Sequence, residues 1–282
     1  MNESTLKSLL QIDDAEYNDI IQFIIKSDSC IGEHLLNDGP LLFNISLYSF
    51  YPILFRQIFK MADKERDILL FSRYYSGWLF ILDTLFDEKG SDNVQIELLV
   101  MSAALSAAEQ YLNKIIPYPN TEALAVINEY RRDSDSSMKR ESAYFRYGVS
   151  YKECELDQYC IQKYALAKAV LYLCYISAQN PVESAYNCII KSHDYFAIAR
   201  QLIDEIEDYS EDFKNNKFNI YANELVLKYG TIADEEVIKK QILKKAFCKL
   251  NQAIDCVKEL PNFGWKRFIT FTRDIWCQKW KI

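Results

Sequence analysis

A dense run of carboxylates occupies residues 204–212 of the chain. Six of these nine positions are acidic, and Asp204, Asp208 and Asp212 recur at every fourth residue. On an α-helix this spacing places the three carboxylates along one face. Like charges at that spacing repel one another unless a cation lies between them. The run is therefore a candidate site for a divalent metal ion.

Apolar residues support the acidic run, which argues against a purely solvated surface. Leu202, Ile203 and Ile206 form an apolar stripe, so the helix is expected to pack. Basic residues that could relieve the repulsion stand only at the ends of the run, as Arg200 and Lys217 do. A solvated acidic face remains the alternative interpretation.

A second acidic segment ends a long apolar stretch, with Asp83 and Asp87 four residues apart and Glu88 next. Mg²⁺ usually takes one or two carboxylates together with substrate phosphates. Two acidic helix faces could therefore bind Mg²⁺ and a diphosphate, whose departure the metal ions would assist. We predict metal ligands at Asp83, Asp87, Glu88, Asp204, Asp208 and Asp212, and catalytic roles for Asp83, Asp87, Asp208 and Asp212.

The composition favours helices. The chain has 282 residues, half of them hydrophobic, with only 7 Gly and 6 Pro to form turns. No strand-like alternation is evident. We expect an all-α fold, a single domain over residues 1–282 and roughly eight to ten helices. Helices are predicted over residues 1–27, 64–88, 94–116, 120–130, 156–178, 181–213, 237–260 and 265–280. The aromatic stretch at 49–56 is expected to break at Pro52, and the polar run 131–140 is expected to be a mobile surface stretch.

Charge and cysteine usage exclude several classes of protein. A net charge of −7 without a dominant basic patch disfavours nucleic-acid binding. Eight cysteines without a C-x-x-C pair, and only two histidines, disfavour a zinc site. The N-terminal segment lacks a basic start and an apolar core, and no apolar run is long enough to span a membrane. We expect a cytoplasmic protein with reduced thiols.

The two acidic segments resemble the aspartate motifs of squalene and phytoene synthases. DTLFDE (83–88) resembles the first motif, and QLIDEIEDYSEDFKNNKF (201–218) resembles the second, with Asp83 and Asp208 separated by 125 residues. The likeness implies a class I isoprenoid synthase: a helical bundle around a central apolar cavity, Mg²⁺ as cofactor, a prenyl diphosphate as substrate and a homodimer as the usual assembly. Asp83 and Asp208 should then lie on opposite walls of that cavity.

Departures from the motifs bear on the reaction. Glu207 stands where the head-to-head synthases usually carry an arginine, and YLCYISAQN (172–180) lacks their glycine-bearing central motif. Chain-elongating prenyltransferases use D-D-x-x-D, which neither segment has. The 204/208/212 spacing also resembles the second-helix triad of terpene cyclases. We predict a terpene cyclase that ionises one prenyl diphosphate. Head-to-head coupling, prenyl-chain elongation and a non-catalytic helical binding protein remain as alternatives.

Other residues are candidates for substrate contact. The basic ones could bind the diphosphate, and the aromatic ones could line an apolar pocket and stabilise a carbocation. A snorkelling lysine and simple core packing are the plainer explanations. The basic candidates are Lys168, Arg200, Lys217 and Arg267, and the aromatic candidates are Tyr75, Trp78 and Tyr172. His193 and Asp194 are expected to form a pair on a helix surface.

Overall fold

The computed structural model of the chain describes residues 2–32, 44, 46–87, 94–116, 120–147, 153–215, 217, 219–221 and 235–281. The elements within these ranges are helical, which confirms the predicted all-α class. No helix among them is long and apolar enough to cross a membrane.

The α-helices are numbered here in chain order. They are α1 (Glu3–Leu10), α2 (Asp14–Gly32), α3 (Glu65–Asp87), α4 (Val94–Ile115), α5 (Thr121–Tyr147), α6 (Glu153–Lys163), α7 (Ala165–Ile176), α8 (Glu183–Asn215), α9 (Glu235–Cys256) and α10 (Gly264–Trp280). Two 3₁₀-helices, Leu47–Phe55 and Ala62–Lys64, precede α3.

Short polar side chains mark where several helices begin. Asn2 accepts a hydrogen bond from the backbone N–H of Thr5 at the start of α1. Asn120 accepts one from Ala123 at the start of α5. Each cap pairs a backbone donor that the first turn of a helix leaves without an intrahelical acceptor.

The described residues group into two compact units. The first comprises Met1–Leu124, Val170–Val182 and Asn262–Trp265, and the second comprises Ala125–Ala169, Glu183–Pro261 and Lys266–Ile282. A single domain over residues 1–282 stays a prediction.

In the first unit, α3 packs against α4 and against the 3₁₀-helix Leu47–Phe55. The side chains of this 3₁₀-helix are almost all buried from Ser49 to Phe55. Its aromatic rings meet Trp265, whose ring centroid lies 6.0 Å from that of Phe55 and 6.3 Å from that of Tyr51. The aromatic-rich segment therefore forms core rather than surface.

In the second unit, α8 packs against α9 and α6. Ser192 donates a hydrogen bond to the backbone carbonyl of Ala253 at 2.7 Å, which fixes α8 against α9. Helix α6 also contacts α5, where Gln162 donates to Asp133 at 3.2 Å. The long helix α8 thus has packed neighbours along its length.

The boundaries predicted for α3, α4, α8 and α10 agree with the structure to within two residues. Each of these segments has a long apolar stripe. The predicted 237–260 helix corresponds to α9, which begins two residues earlier and ends at Cys256.

The prediction of a mobile surface stretch at 131–140 was wrong. Helix α5 continues through this run, and Ser134 and Ser137 are buried. Small hydroxyl residues extend the inward face begun by Ala123 and Ile127. The Ser137 hydroxyl donates to the carbonyl of Ser134 at 2.8 Å, so burial leaves it hydrogen-bonded.

Three further boundaries differ from the predictions. The expected helix at 1–27 is divided by residues 11–13, where Gln11 adopts a left-handed φ of 55°. The expected helix at 156–178 is divided at Tyr164. Pro52 does not break its segment, because the 3₁₀-helix Leu47–Phe55 includes it.

Gly264 begins α10 where the chain passes very close to another backbone. A Cβ at this position would lie 2.6 Å from Leu54 Cα and 2.7 Å from Leu54 O. We expect Gly264→Ala to lower the free energy of unfolding by about 3 kcal/mol, since backbone must move to admit the methyl group. Urea unfolding measures this loss. Gln278→Ala, an exposed position on the same helix, should stay within about 0.5 kcal/mol of wild type; equal effects of the two variants would contradict the expectation.

Candidate active site on helix α8

The C-terminal half of α8 holds the acidic run as the sequence predicts. Leu202, Ile203 and Ile206 are buried, so this part of the helix packs against the rest of its unit. Asp204, which is half-buried, and Asp208, which is exposed, lie on the same helix face one turn apart. The helix thus holds an acidic face on a rigid apolar support.

Asp204 begins this acidic face in a crowded polar environment. The guanidinium of Arg200, one turn earlier, lies 2.7 Å from its Oδ1, and the hydroxyl of Tyr164 donates to its Oδ2 at 3.2 Å. Burial raises the pKa of Asp204 to about 6; Arg200 opposes this shift, and the negative charge of Asp208 adds to it. A further positive charge near Asp204 would therefore stabilise its ionised form.

The break between α6 and α7 supplies Tyr164 to this site. Tyr164 is the single turn residue between the two helices, and its hydroxyl contacts Asp204. The sequence did not indicate this role, because the apolar pattern runs through the break without interruption.

Glu205 is a second residue that sequence reasoning missed. It is 5 % exposed and lies on the inner side of α8. Its carboxylate accepts hydrogen bonds from the side-chain amide of Gln201 and, at 2.6 Å, from the backbone N–H of Ile220. Burial raises the pKa of Glu205 to about 7, which the charge of Lys163 and these hydrogen bonds oppose. Its spacing of three residues from Leu202, which places it beside the apolar stripe on a helix, is the only sequence signal for it.

Asp212 ends the acidic face in the last turn of α8. Its Oδ2 accepts a hydrogen bond from the side-chain amide of Asn219 at 2.9 Å. Its backbone carbonyl accepts one from the N–H of Lys217 at 2.8 Å. The chain after α8 therefore returns to the helix and contacts a predicted metal ligand.

The carboxylate of Glu207 binds a lysine that the sequence did not indicate as its partner. Lys279 of α10 donates to its Oε1 at 2.7 Å. The expectation that basic partners of the acidic run stand only at its ends was therefore wrong. Packing of α10 along the unit brings in a cation from 72 residues away.

The first acidic segment lies at the end of α3 in the first unit. Asp83 is exposed in the second-last turn, and Asp87 is the last residue of the helix. Glu88 lies outside the described residues. Asp83 belongs to the first unit and Asp208 to the second, and their convergence on one cavity stays a prediction.

The predicted basic contacts have diverse surroundings. Lys168 is buried, and its ammonium group lies 2.8 Å from Asp194 and 5.5 Å from the ring centroid of Tyr130. Burial lowers the pKa of Arg267. Arg200 is bound to Asp204 as described above, and Lys217 follows α8. Lys168 is thus neither exposed nor snorkelling; its role towards a substrate stays a prediction.

The predicted aromatic contacts lie in the first unit. Tyr75 is buried and stacks with Trp78, with ring centroids 5.5 Å apart; the ring of Phe71 contacts it in a tilted arrangement at 4.9 Å. Tyr172 is half-buried beside Tyr175, and burial raises its pKa. Packing in the core of the first unit explains these ring contacts. A role in lining a substrate pocket stays a prediction.

His193 is buried, so the expected surface pair with Asp194 was wrong for this residue. Burial lowers the pKa of His193 from its ordinary value near 6.5 to about 3, and the charge of Lys168 adds to the shift. The neutral imidazole is thus part of the core of the second unit, and α8 turns His193 inward while Asp194 meets Lys168.

Stability should depend on pH through His193. Below pH 6.5 the unfolded chain takes up a proton that the folded protein excludes until about pH 3, so stability is lost as the pH falls. Relative to His193→Gln, the wild-type protein should lose about 2 kcal/mol between pH 7 and pH 5. Urea unfolding at both pH values measures this difference.

Glu205 has the opposite pH dependence, because its raised pKa makes stability fall as the pH rises towards 7. This contribution is common to both proteins, so it cancels in the comparison. A difference between wild type and His193→Gln that stays constant from pH 5 to pH 7 would contradict the assignment.

Comparisons with known proteins give a fold but no family. No protein-family model matches the chain, and no curated protein matches it. Its structure is similar to a crystal structure of a decaprenyl diphosphate synthase from Rhodobacter capsulatus, with a TM-score of 0.66, 14% sequence identity and coverage of 96% of this chain and 97% of that chain. The chain therefore has an all-α fold of the isoprenoid synthase type.

Proposed function

We propose that the protein is a Mg²⁺-dependent terpene synthase that releases pyrophosphate from a prenyl diphosphate and converts the resulting carbocation to a terpene. The observation that carries this proposal is the acidic face of α8, with Asp204, Asp208 and Asp212 on a helix whose apolar side is buried, within an isoprenoid-synthase-type fold. The structural neighbour is a decaprenyl diphosphate synthase, which supports a prenyl diphosphate as the substrate class.

The donor set on α8 fits Mg²⁺. Within the described residues, no three or more His, Cys, Asp or Glu side chains lie together so that they could hold a metal ion by themselves. Mg²⁺ does not need such a cluster, since it usually takes one or two carboxylates and completes its shell with waters and substrate phosphates. We propose Asp204, Asp208 and Asp212 as ligands on α8, each ion taking one or two of them, and Asp83 and Asp87 as metal ligands at the end of α3. When bound, the metal ions neutralise charge that develops on the departing diphosphate.

The protein's own residues prepare the face for a cationic partner. Crowding and burial leave Asp204 with a raised pKa, so positive charge bound beside it favours its ionised form. Arg200 binds the same carboxylate, and we propose it as a contact for a diphosphate oxygen. Lys217, at the end of α8, is proposed as a further contact.

The acidic side chain of Glu207 favours a reaction of one prenyl diphosphate over the coupling of two. It occupies the position where the resembling head-to-head synthases carry an arginine, and its carboxylate binds Lys279 instead. An acidic residue there adds no cation for a second diphosphate. Head-to-head coupling of two prenyl diphosphates is the second candidate, because the neighbour's fold also suits a prenyltransferase.

Pyrophosphate release is the decisive measurement. Purified protein would be incubated with Mg²⁺ and geranyl, farnesyl, geranylgeranyl and longer prenyl diphosphates, with EDTA as the control, and the products identified by mass spectrometry. We expect metal-dependent pyrophosphate release and a hydrocarbon or alcohol with the carbon number of the substrate. A product with twice that number would establish coupling. No release from any of the substrates would count against an isoprenoid synthase and favour a binding protein.

Cytoplasmic location and assembly as a homodimer are further parts of the proposal. Sedimentation of the purified protein would test the assembly.

A further inference from the structure

The segment that follows α8 returns to the helix, and three of its residues donate hydrogen bonds to Asp212 and Glu205. Lys217 donates its backbone N–H to the carbonyl of Asp212. Asn219 donates from its side-chain Nδ2 to Asp212 Oδ2 at 2.9 Å and to the backbone carbonyl of Glu205 at 2.8 Å. Ile220 donates its backbone N–H to the Glu205 carboxylate at 2.6 Å. The return segment, residues 217, 219, 220 and 221, is thus fixed to α8 at Asp212 and at Glu205.

Asn219 occupies the centre of this arrangement. It is 1 % exposed, so its amide depends on protein partners rather than on water. Both of its Nδ2 hydrogens are directed to α8, one to the backbone of Glu205 and one to the side chain of Asp212. An amide held at two points fixes the direction of the donor that reaches Asp212.

We propose that Asn219 is a positioning residue for the metal-binding face, holding the Asp212 carboxylate in the orientation that binds Mg²⁺. This inference rests on the proposed function. The inference extends the proposed function by naming a residue outside the acidic run, Asn219, on which the Mg²⁺ affinity depends.

The chemistry of the amide suits this role. Asp212 lies in the last turn of α8, where helix ends fray and where the helix dipole disfavours negative charge. A hydrogen-bond donor at Oδ2 offsets both effects. Because the donor is a neutral amide, it orients the carboxylate without neutralising the charge that attracts a cation, as a lysine or arginine would. Residues that orient metal ligands typically affect metal affinity by about ten- to a hundredfold.

Calorimetric titration of Mg²⁺ into the full-length protein with inorganic pyrophosphate tests the proposal. Asn219→Leu keeps the size of the side chain and removes both donors. We expect its Mg²⁺ affinity to fall at least about tenfold. In the Asp212→Asn background, where there is no carboxylate to orient, the same substitution should change the affinity by less than about twofold.

Tyr221→Leu is the matched control for general loosening of the return segment. Tyr221 is buried and its ring centroid lies 4.7 Å from that of Tyr209, so its loss weakens the same segment but leaves the Asn219 amide in place. Its Mg²⁺ affinity should stay within about threefold of wild type at a comparable loss of stability, in line with the additivity of separate contacts.

The outcomes separate this inference from the proposed function. If wild type binds Mg²⁺ and pyrophosphate but Asn219→Leu binds them equally well, or if Tyr221→Leu weakens binding as much, the positioning role is overturned and the function stands. If Asn219→Leu weakens binding equally with and without the Asp212 carboxylate, the positioning role is likewise overturned. If wild type binds no Mg²⁺ in the presence of pyrophosphate, both fail.

Discussion

Replacing Asp208 by asparagine is expected to lower kcat/KM for pyrophosphate release by about 10²- to 10³-fold. Asp208 is exposed at the centre of the acidic face, with Asp204 one turn before it and Asp212 one turn after it. Asparagine keeps the size of the side chain and removes the charge that binds Mg²⁺. Lost stabilisation of the departing diphosphate would appear mainly in kcat, because that charge develops in the transition state. Steady-state kinetics over a range of Mg²⁺ concentrations measures the effect.

Glu207→Gln is the matched control for Asp208→Asn. It removes the same charge from the adjacent residue of the same helix, but its carboxylate is bound to Lys279 rather than placed on the acidic face. We expect kcat/KM within about threefold of wild type, because Glu207 is not a proposed metal ligand and the loss of an exposed ion pair changes stability by at most about 1 kcal/mol. Equal losses in the two variants would show that overall charge, and not the position of Asp208, controls activity.

The largest stability effect is expected at a buried ion pair in the first unit. Asp28 on α2 and Arg73 on α3 are each 1 % exposed. Arg73 Nε donates to the Asp28 carboxylate at 3.0 Å, and its Nη1 donates to Ser49 at 3.0 Å. Asp28→Asn removes the carboxylate charge that binds two nitrogens of this buried guanidinium, so the free energy of unfolding should fall by about 3–5 kcal/mol. Urea or thermal unfolding measures this loss.

Two further variants show how far the loss of stability in Asp28→Asn depends on the burial of the ion pair and on its charges. Asp19 pairs with Arg66 at 2.7 Å, but both side chains are more than 60 % exposed (64 % and 61 %), so Asp19→Asn should cost less than about 1 kcal/mol. The double variant Asp28→Leu, Arg73→Met removes both charges and should recover much of the stability lost in Asp28→Asn. A double variant as unstable as Asp28→Asn would show that the packing of these side chains, and not their charge, determines the loss of stability.

The helices that could be predicted well are those with an unbroken apolar stripe. In α3 and α8 such a stripe runs to the acidic residues, and the boundaries follow from it. In α5 the buried face continues through Ser134 and Ser137 instead of apolar residues. Their burial depends on the neighbouring helices and could not be predicted from their polar side chains. A local pattern cannot show that a hydroxyl will be buried, because the hydrogen bond that makes burial tolerable forms only in the folded chain.

The helical class, the acidic face of α8 and its apolar support were determined by the sequence itself. Asp204, Asp208 and Asp212 follow the helical period, and this period operates within a single element. No tertiary information is needed to place residues four apart on one face.

The surroundings of that face were decided by tertiary structure. Tyr164 reaches Asp204 because a helix breaks there, and Lys279 reaches Glu207 because α10 packs nearby. Asn219 reaches Asp212 because the chain folds back after α8. Each of these partners acts through a hydrogen bond, which requires a separation of about 3 Å between two atoms. Spacing along the chain shows which residues share a helix face, but only the packed structure determines which side chains from other segments come that close.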